Sequence, residues 1–247
     1  MIITTSWDDG HPSDQRLADL LSKYGLPATF YIPKSSQRPT LNAKEVKAIA
    51  NRFEVAAHTM DHLALTTLSP QEANRQIRDS KAWIEQATSQ RCIMFCPPLG
   101  KFRREHVRMI EAHHYKGFRT VEMGSVNGPA STSALMEMPT TVQAHPHGSS
   151  TYLKNAVRRY RIAGAWRAVQ HWPARDWLHR ADFYLQHAMS SSGVFHLWGH
   201  SWEIDENDQW VALEVMFGKL SQLLATGKSI AMTNGAVCEL KTPKSRL

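Results

Sequence analysis

Short apolar runs alternate with amphipathic segments along most of this chain, and that alternation constrains the fold more than any other feature. Residues 2–7, 28–32, 53–57, 93–96 and 117–121 read as strands. Between them, residues 13–24, 42–51, 69–87 and 104–114 read as helices. In the first helix Leu17, Leu20, Leu21 and Tyr24 share one face. The third opens on Ser69-Pro70-Gln71-Glu72, a capping box with Pro at the first helical position. Residues 127–150 are rich in Gly, Pro, Ser, Thr and His, with one short strand expected at 140–143. Beyond them the pattern predicts helices over 151–166 and 179–189, a strand over 193–198, a helix over 210–226 and a closing strand over 229–232. Strand-helix repetition implies a parallel sheet, here expected to close into a barrel. No repeat, linker or low-complexity run divides the 247 residues, so one α/β domain spanning 1–247 is expected.

Composition narrows the partners. With 42% hydrophobic and 21% charged residues, the chain can build a globular core. Its net charge of +7 favours acidic partners in general. The basic residues are scattered, so no nucleic-acid partner is expected. Their densest cluster, Arg158, Arg159 and Arg161 followed by Arg167, reads as a solvated helix face, or as a contact for a phosphate-bearing substrate. Cys92, Cys96 and Cys238 match neither a disulfide framework nor a zinc ribbon, which points to a reducing compartment. Met1-Ile2-Ile3-Thr4-Thr5 has no basic or leader-like character, and no run reaches the length of a membrane span. A cytoplasmic location is therefore expected, with the oligomeric state left open.

Three stretches carry chemistry, and each is placed at or just after the carboxyl end of a strand, where active sites of such folds gather. Ser6-Trp7-Asp8-Asp9-Gly10 offers adjacent carboxylates. Asp-Gly is also a common turn pair, but two neighbouring carboxylates repel unless a cation or a donor stands between them. His58-Thr59-Met60-Asp61-His62 offers imidazoles at i and i+4, a spacing that one helical turn could aim at one ion and that also arises by chance among 13 histidines. Joined with Asp9, the pair makes a two-His, one-carboxylate set with open coordination positions. Thr59 is either an orienting group or a helix cap. Leu197-Trp198-Gly199-His200-Ser201 supplies a further histidine for acid–base work. His196 alternates with Phe195 and Leu197, and reads as a hydrogen-bonded core residue. His145-Pro146-His147 lies in the irregular middle, as a loop or a substrate contact.

These residues resemble the polysaccharide deacetylase family, also called the NodB-homology or carbohydrate esterase 4 family. The Asp-Asp-Gly and His-Thr-x-x-His segments carry the resemblance, which runs from Thr4 to about residue 235. It implies a distorted (β/α)7-type barrel and zinc or another divalent transition metal held by Asp9, His58 and His62. Asp8 would be the general base and His200 the general acid. Cys96-Pro97-Pro98-Leu99-Gly100 resembles the family's third motif, with Cys96 where the family has an Arg beside its catalytic Asp. Lys101, Arg103 or Arg119 could supply that charge. Pro98 and Leu99 fall at the oxyanion and substrate position, the Leu99 N–H being the donor. Trp202, Glu203 and Trp210 are candidates for the substrate groove. The implied reaction is hydrolysis of an N-acetyl group on an amino sugar of a glycan or its precursor. Other expectations are hydrolysis of a non-carbohydrate linear or cyclic amide at the same site, and carbohydrate binding without catalysis.

Overall fold

The computed structural model describes residues 1–132, 134–147 and 176–241. Its strands are β1 (Ile2–Asp8), β2 (Thr29–Ile32), β3 (Glu54–Ala57), β4 (Met94–Phe95), β5 (Gly117–Arg119), β6 (Ala130–Ser131), β7 (Met136–Met138), β8 (Val142–Gln143), β9 (Val194–His200) and β10 (Ile230–Ala231). Its helices are α1 (Asp14–Lys23), α2 (Ala43–Ala50), α3 (Pro70–Thr88), α4 (Arg104–Ala112), α5 (Trp177–Ser190), α6 (Ser201–Glu206), α7 (Trp210–Ala225) and α8 (Asn234–Lys241). All ten strands belong to one sheet, in the order β6-β7-β5-β4-β3-β2-β1-β9-β8, with β10 beside β1. Every pairing is parallel except that of β6 with β7. The sheet curls into a half-barrel, and among the described residues its end strands do not pair with each other. The fold is thus an α/β domain on a distorted barrel with an open seam.

Period-2 alternation in β1 sorts its side chains. Ile3 and Trp7 join the large apolar cluster between the sheet and its helices. Thr4, Ser6 and Asp8 face the other way and meet polar partners in ascending layers. Thr4 donates to Asn234 at the start of α8, Ser6 meets His196 of β9, and Asp8 meets Arg119 of β5. Tyr31, Ala56, Met94, Cys96, Met136, Met138, Val237 and Cys238 form a second cluster on that inner side. Register then aligns the strand ends: β1 and β9 pair from Ile2 with Val194 up to Asp8 with His200.

Several expectations need correction. The capping box at Ser69 is half formed: Ser69 accepts from the Glu72 N–H, but the Glu72 carboxylate turns to Arg75 and Gln76. A full box stands instead on Asn42 and Glu45, at α2. β9 continues past Trp198, so His200 is its last residue. The helix α6 starts directly after it. β6, β7, α6 and α8 were not expected, because two- to eight-residue elements show little periodicity of their own. The helix expected over 151–166, with Arg158, Arg159, Arg161 and Arg167, lies outside the described residues, as do 148–150 of the middle segment.

Candidate active site

Four strand ends and the segments after them bring the candidate residues to one cavity of about 580 Å³. Asp8 ends β1 and Asp9 follows it, His58 and His62 come from the segment after β3, and His200 ends β9; all five line the cavity. The 58–62 segment is not a helical turn. Thr59 and His62 have φ of 66° and 52°, so the chain doubles back in an irregular loop. This conformation brings the rings within 5.0 Å of each other. Asp9 (φ 79°) and Leu99 (φ 58°) are left-handed too. Non-glycine residues adopt that region at a cost, and here three of the four, Asp9, His62 and Leu99, line the cavity, where the fold holds them in place.

The loop is held by Gln76 of α3. Its side-chain oxygen accepts from the N–H groups of Met60 and Asp61, and its amide donates to Asp61 Oδ2. Gln76 itself is fully buried, so the clamp is anchored in the interior while Asp61 stays exposed. Thr59 caps no helix; its hydroxyl is buried and has no hydrogen-bond partner among the described residues.

Asp9 Oδ1 is buried and makes no hydrogen bond among the described residues, yet it lies 3.0 Å from His62 Nε2 and 3.5 Å from His58 Nε2. His58 Nδ1 stands 2.7 Å from the Cys96 carbonyl. A carbonyl can only accept, so Nδ1 carries the proton and Nε2 keeps its lone pair towards Asp9. Burial opposes a charged Asp9, but the adjacent His58 and His62 and the charge of His200 hold its carboxyl well below the usual range. An orphaned carboxylate oxygen facing two imidazole nitrogens is a donor set that suits a divalent transition metal. Asp8, His58 and Cys96 also cluster, but Arg119 already places a cation on Asp8.

Of the three cations that the sequence offers for Asp8, the structure places Arg119 against it. It is fully buried and donates from Nη2 to Asp8 Oδ1, with its guanidinium over the rings of Trp198 and Tyr31. Lys101 and Arg103 are exposed and do not reach Asp8. Cys96 is a buried free thiol. Burial pushes it well above its ordinary pKa.

His200 Nδ1 lies 2.7 Å from Glu203 Oε2, while its Nε2 is 3.9 Å from Asp9 Oδ2. Burial disfavours its charge, but the Glu203 hydrogen bond and the field of Asp9 push its pKa up to about 9. Glu203 also accepts from Gln143, whose oxygen takes His147 Nε2–H at 2.7 Å. His147 lines the cavity, and burial holds its pKa down to about 4. His145 Nδ1 is 3.6 Å from Glu203. His196 is a core residue: its ring bonds to Ser6 and to the Pro139 carbonyl. Trp202 and Glu203 line the cavity, with Leu63, Leu99, Val121, Met123 and Trp198 as further lining. Trp210 does not. Its indole donates to Asp205 and its ring stacks under Arg16, which corrects its expected place in the groove. Leu99 is 61% exposed at the cavity mouth, and its N–H has no acceptor among the described residues.

Sequence reasoning did not single out Gln76, Arg38 or the Glu203–His200 pair. Only the last had a visible signal, because i and i+3 across the start of a helix are neighbours.

Residues 2–118 match the polysaccharide deacetylase family. Bacillus subtilis YxkH, a protein assigned to polysaccharide deacetylases, is 30% identical over 129 residues, which is 51% of this chain and 46% of that relative. The peptidoglycan-N-acetylmuramic acid deacetylase PdaC of the same organism is 31% identical over 106 residues, 42% of this chain and 22% of the relative. The matched parts therefore span less than half the length of these curated relatives. A crystal structure from Mycobacterium smegmatis, of a protein assigned to polysaccharide deacetylases, superposes with a TM-score of 0.71 at 13% identity. It covers 97% of this chain and 89% of that one, a likeness of fold.

Proposed function

We propose that the chain belongs to the polysaccharide deacetylase family, whose model matches residues 2–118, and that it hydrolyses the N-acetyl group of an amino sugar with the help of a divalent ion held by Asp9, His58 and His62. One observation carries the reading. The orphaned Asp9 Oδ1 and the two imidazole Nε2 atoms converge between an Asp8–Arg119 pair and a His200–Glu203 pair, on one cavity. Such an ion supplies Lewis-acid polarisation of an acyl oxygen and makes water acidic at neutral pH.

The chain's own groups do the rest. Asp8 takes the proton of the attacking water on Oδ2, the oxygen that Arg119 leaves open. Arg119 fixes the orientation of Asp8. The Leu99 N–H, without another acceptor, donates to the oxygen on which charge develops. His200, protonated up to about pH 9, gives its proton to the amine nitrogen as the C–N bond breaks. Water is consumed, and acetate and the free amino sugar are released. Trp198, Met123 and Leu63 give the cavity apolar surface beside its polar wall, which suits the alternating faces of a sugar.

The test is acetate release from a panel of N-acetylated amino sugars, with and without chelator and with Zn2+ or Co2+ restored. Asp9→Ala should lose bound metal, and Asp8→Asn should retain metal while losing turnover by a factor of roughly 10² or more. Amide cleavage without acetate, or sugar binding without turnover, would replace this reading. Full metal occupancy in Asp9→Ala would remove the proposed ligand set.

A further inference from the structure

Trp202 is the second residue of α6, yet its indole reaches back across the cavity to the first strand. Nε1–H donates to Asp9 Oδ2 at 2.9 Å. The other carboxylate oxygen, Oδ1, is the one turned to His58 and His62. The two oxygens of Asp9 therefore have different environments. One is claimed by a neutral donor, and the other is left for whatever the imidazoles also face.

The indole is itself held from several sides. The Arg38 guanidinium lies 3.6 Å from the Trp202 ring centroid, and Glu206, four residues after Trp202, grips that guanidinium with contacts of 2.5 and 3.4 Å. The His200 ring lies against the same indole at 5.3 Å between centroids. A ring packed this way cannot swing from Asp9 without breaking the cation–π contact, worth about 0.5–2 kcal/mol.

We infer that Trp202 is a positioning residue for the metal site: its indole N–H keeps Asp9 Oδ2 occupied, so that Asp9 serves the ion through Oδ1 alone. The donor type matters. An indole N–H can donate but carries no charge, so it orients the carboxylate without neutralising it, as a Lys or Arg at that place would. A ligand limited to one oxygen leaves more of the ion's coordination positions for water and the acyl oxygen. The inference rests on the metal site proposed above and extends it to a residue outside the ligand set.

Co2+ is the probe, because its visible absorption reports coordination number as well as binding. The full chain is freed of metal with chelator and titrated with Co2+, as wild type and as Trp202→Phe, which keeps a ring under Arg38 and removes the N–H. Expected for Trp202→Phe are a Co2+ affinity weaker by about tenfold or more, as for loss of other groups that orient metal ligands, and weaker visible bands as the second oxygen joins the ion. Unfolding midpoints of the metal-free proteins separate this from a general loss of structure. Equal affinity and superimposable spectra would overturn the inference. A wild type that takes up no Co2+ would instead remove the metal site itself. Should Trp202→Phe not fold, wild type labelled with 15N in its indoles decides: an indole N–H resonance that shifts on Zn2+ addition supports the inference, and none that shifts overturns it.

Discussion

Arg119 reaches Asp8 from β5, a strand that the sheet order places four positions away from β1. Both side chains are buried, at 0% and 3% exposure, so neither charge is relieved by water. Removing one partner of such a pair strands the other, typically at about 3–5 kcal/mol. Arg119→Met should therefore lose about that much stability in urea unfolding. In an Asp8→Asn background the same substitution should cost far less, because no carboxylate remains to strand. Equal costs in both backgrounds would mean that the two groups are not coupled. His200 gives a second expectation at this scale. Its raised pKa means that the protonated acid persists in the folded site until about pH 9. As pH rises through that value the acid is lost, so kcat/KM should fall on its alkaline side. Glu203 supplies the leading favourable contribution. Glu203→Gln should move the alkaline limb to lower pH, and an unmoved limb would assign it to another group.

Gln76 belongs to the scale of elements, since it joins α3 to the loop that presents His58 and His62. Two backbone N–H groups end on its side-chain oxygen. Replacement by Leu would leave both without an acceptor, at about 1–3 kcal/mol each. Gln76→Leu should lower the unfolding free energy by roughly 2–6 kcal/mol and loosen metal binding, read by chelator competition. Gln76→Glu keeps the acceptor and should lose less. The helices were legible in the sequence because their apolar faces repeat: Leu17, Ala18 and Leu21 are buried on α1, and Leu213, Met216, Phe217 and Leu220 on α7. The long strands and the carboxylate and imidazole motifs were legible for similar reasons. The loop conformation was not, because Asp9, Thr59, His62 and Leu99 sit in a backbone region that their own side chains disfavour. Tertiary contacts such as the Gln76 clamp select that conformation. Arg119 could be nominated from sequence but not chosen over Lys101 or Arg103, since only the curl of the sheet decides which cation meets Asp8.

At the scale of the whole molecule, His196 sits where the half-barrel is stitched together. It lies on β9, bonds to Ser6 of β1, and reaches the Pro139 carbonyl ahead of β8. The carbonyl fixes the proton on Nδ1, and Nε2 accepts from the Ser6 hydroxyl. Burial and the nearby charge of Arg119 disfavour a second proton, and the pKa is held down to about 3, with the Pro139 carbonyl and Asp8 opposing. The sign of the linkage follows. In the unfolded chain this histidine takes up a proton as pH falls below about 6.5, whereas the native ring stays neutral until about pH 3. Over that window the unfolded state binds more protons, so stability falls with falling pH, by up to about 1.4 kcal/mol per pH unit from this one group. The contribution is complete above about pH 6.5. A metal held at the proposed site would also be released on acidification, so the measurement belongs on chelator-treated protein. Urea unfolding free energies between pH 7 and 4 should fall more steeply for wild type than for His196→Gln, which keeps a polar side chain but cannot titrate. Parallel curves for the two proteins would show that acid lability arises elsewhere, and that the seam between β1 and β9 does not depend on a neutral imidazole.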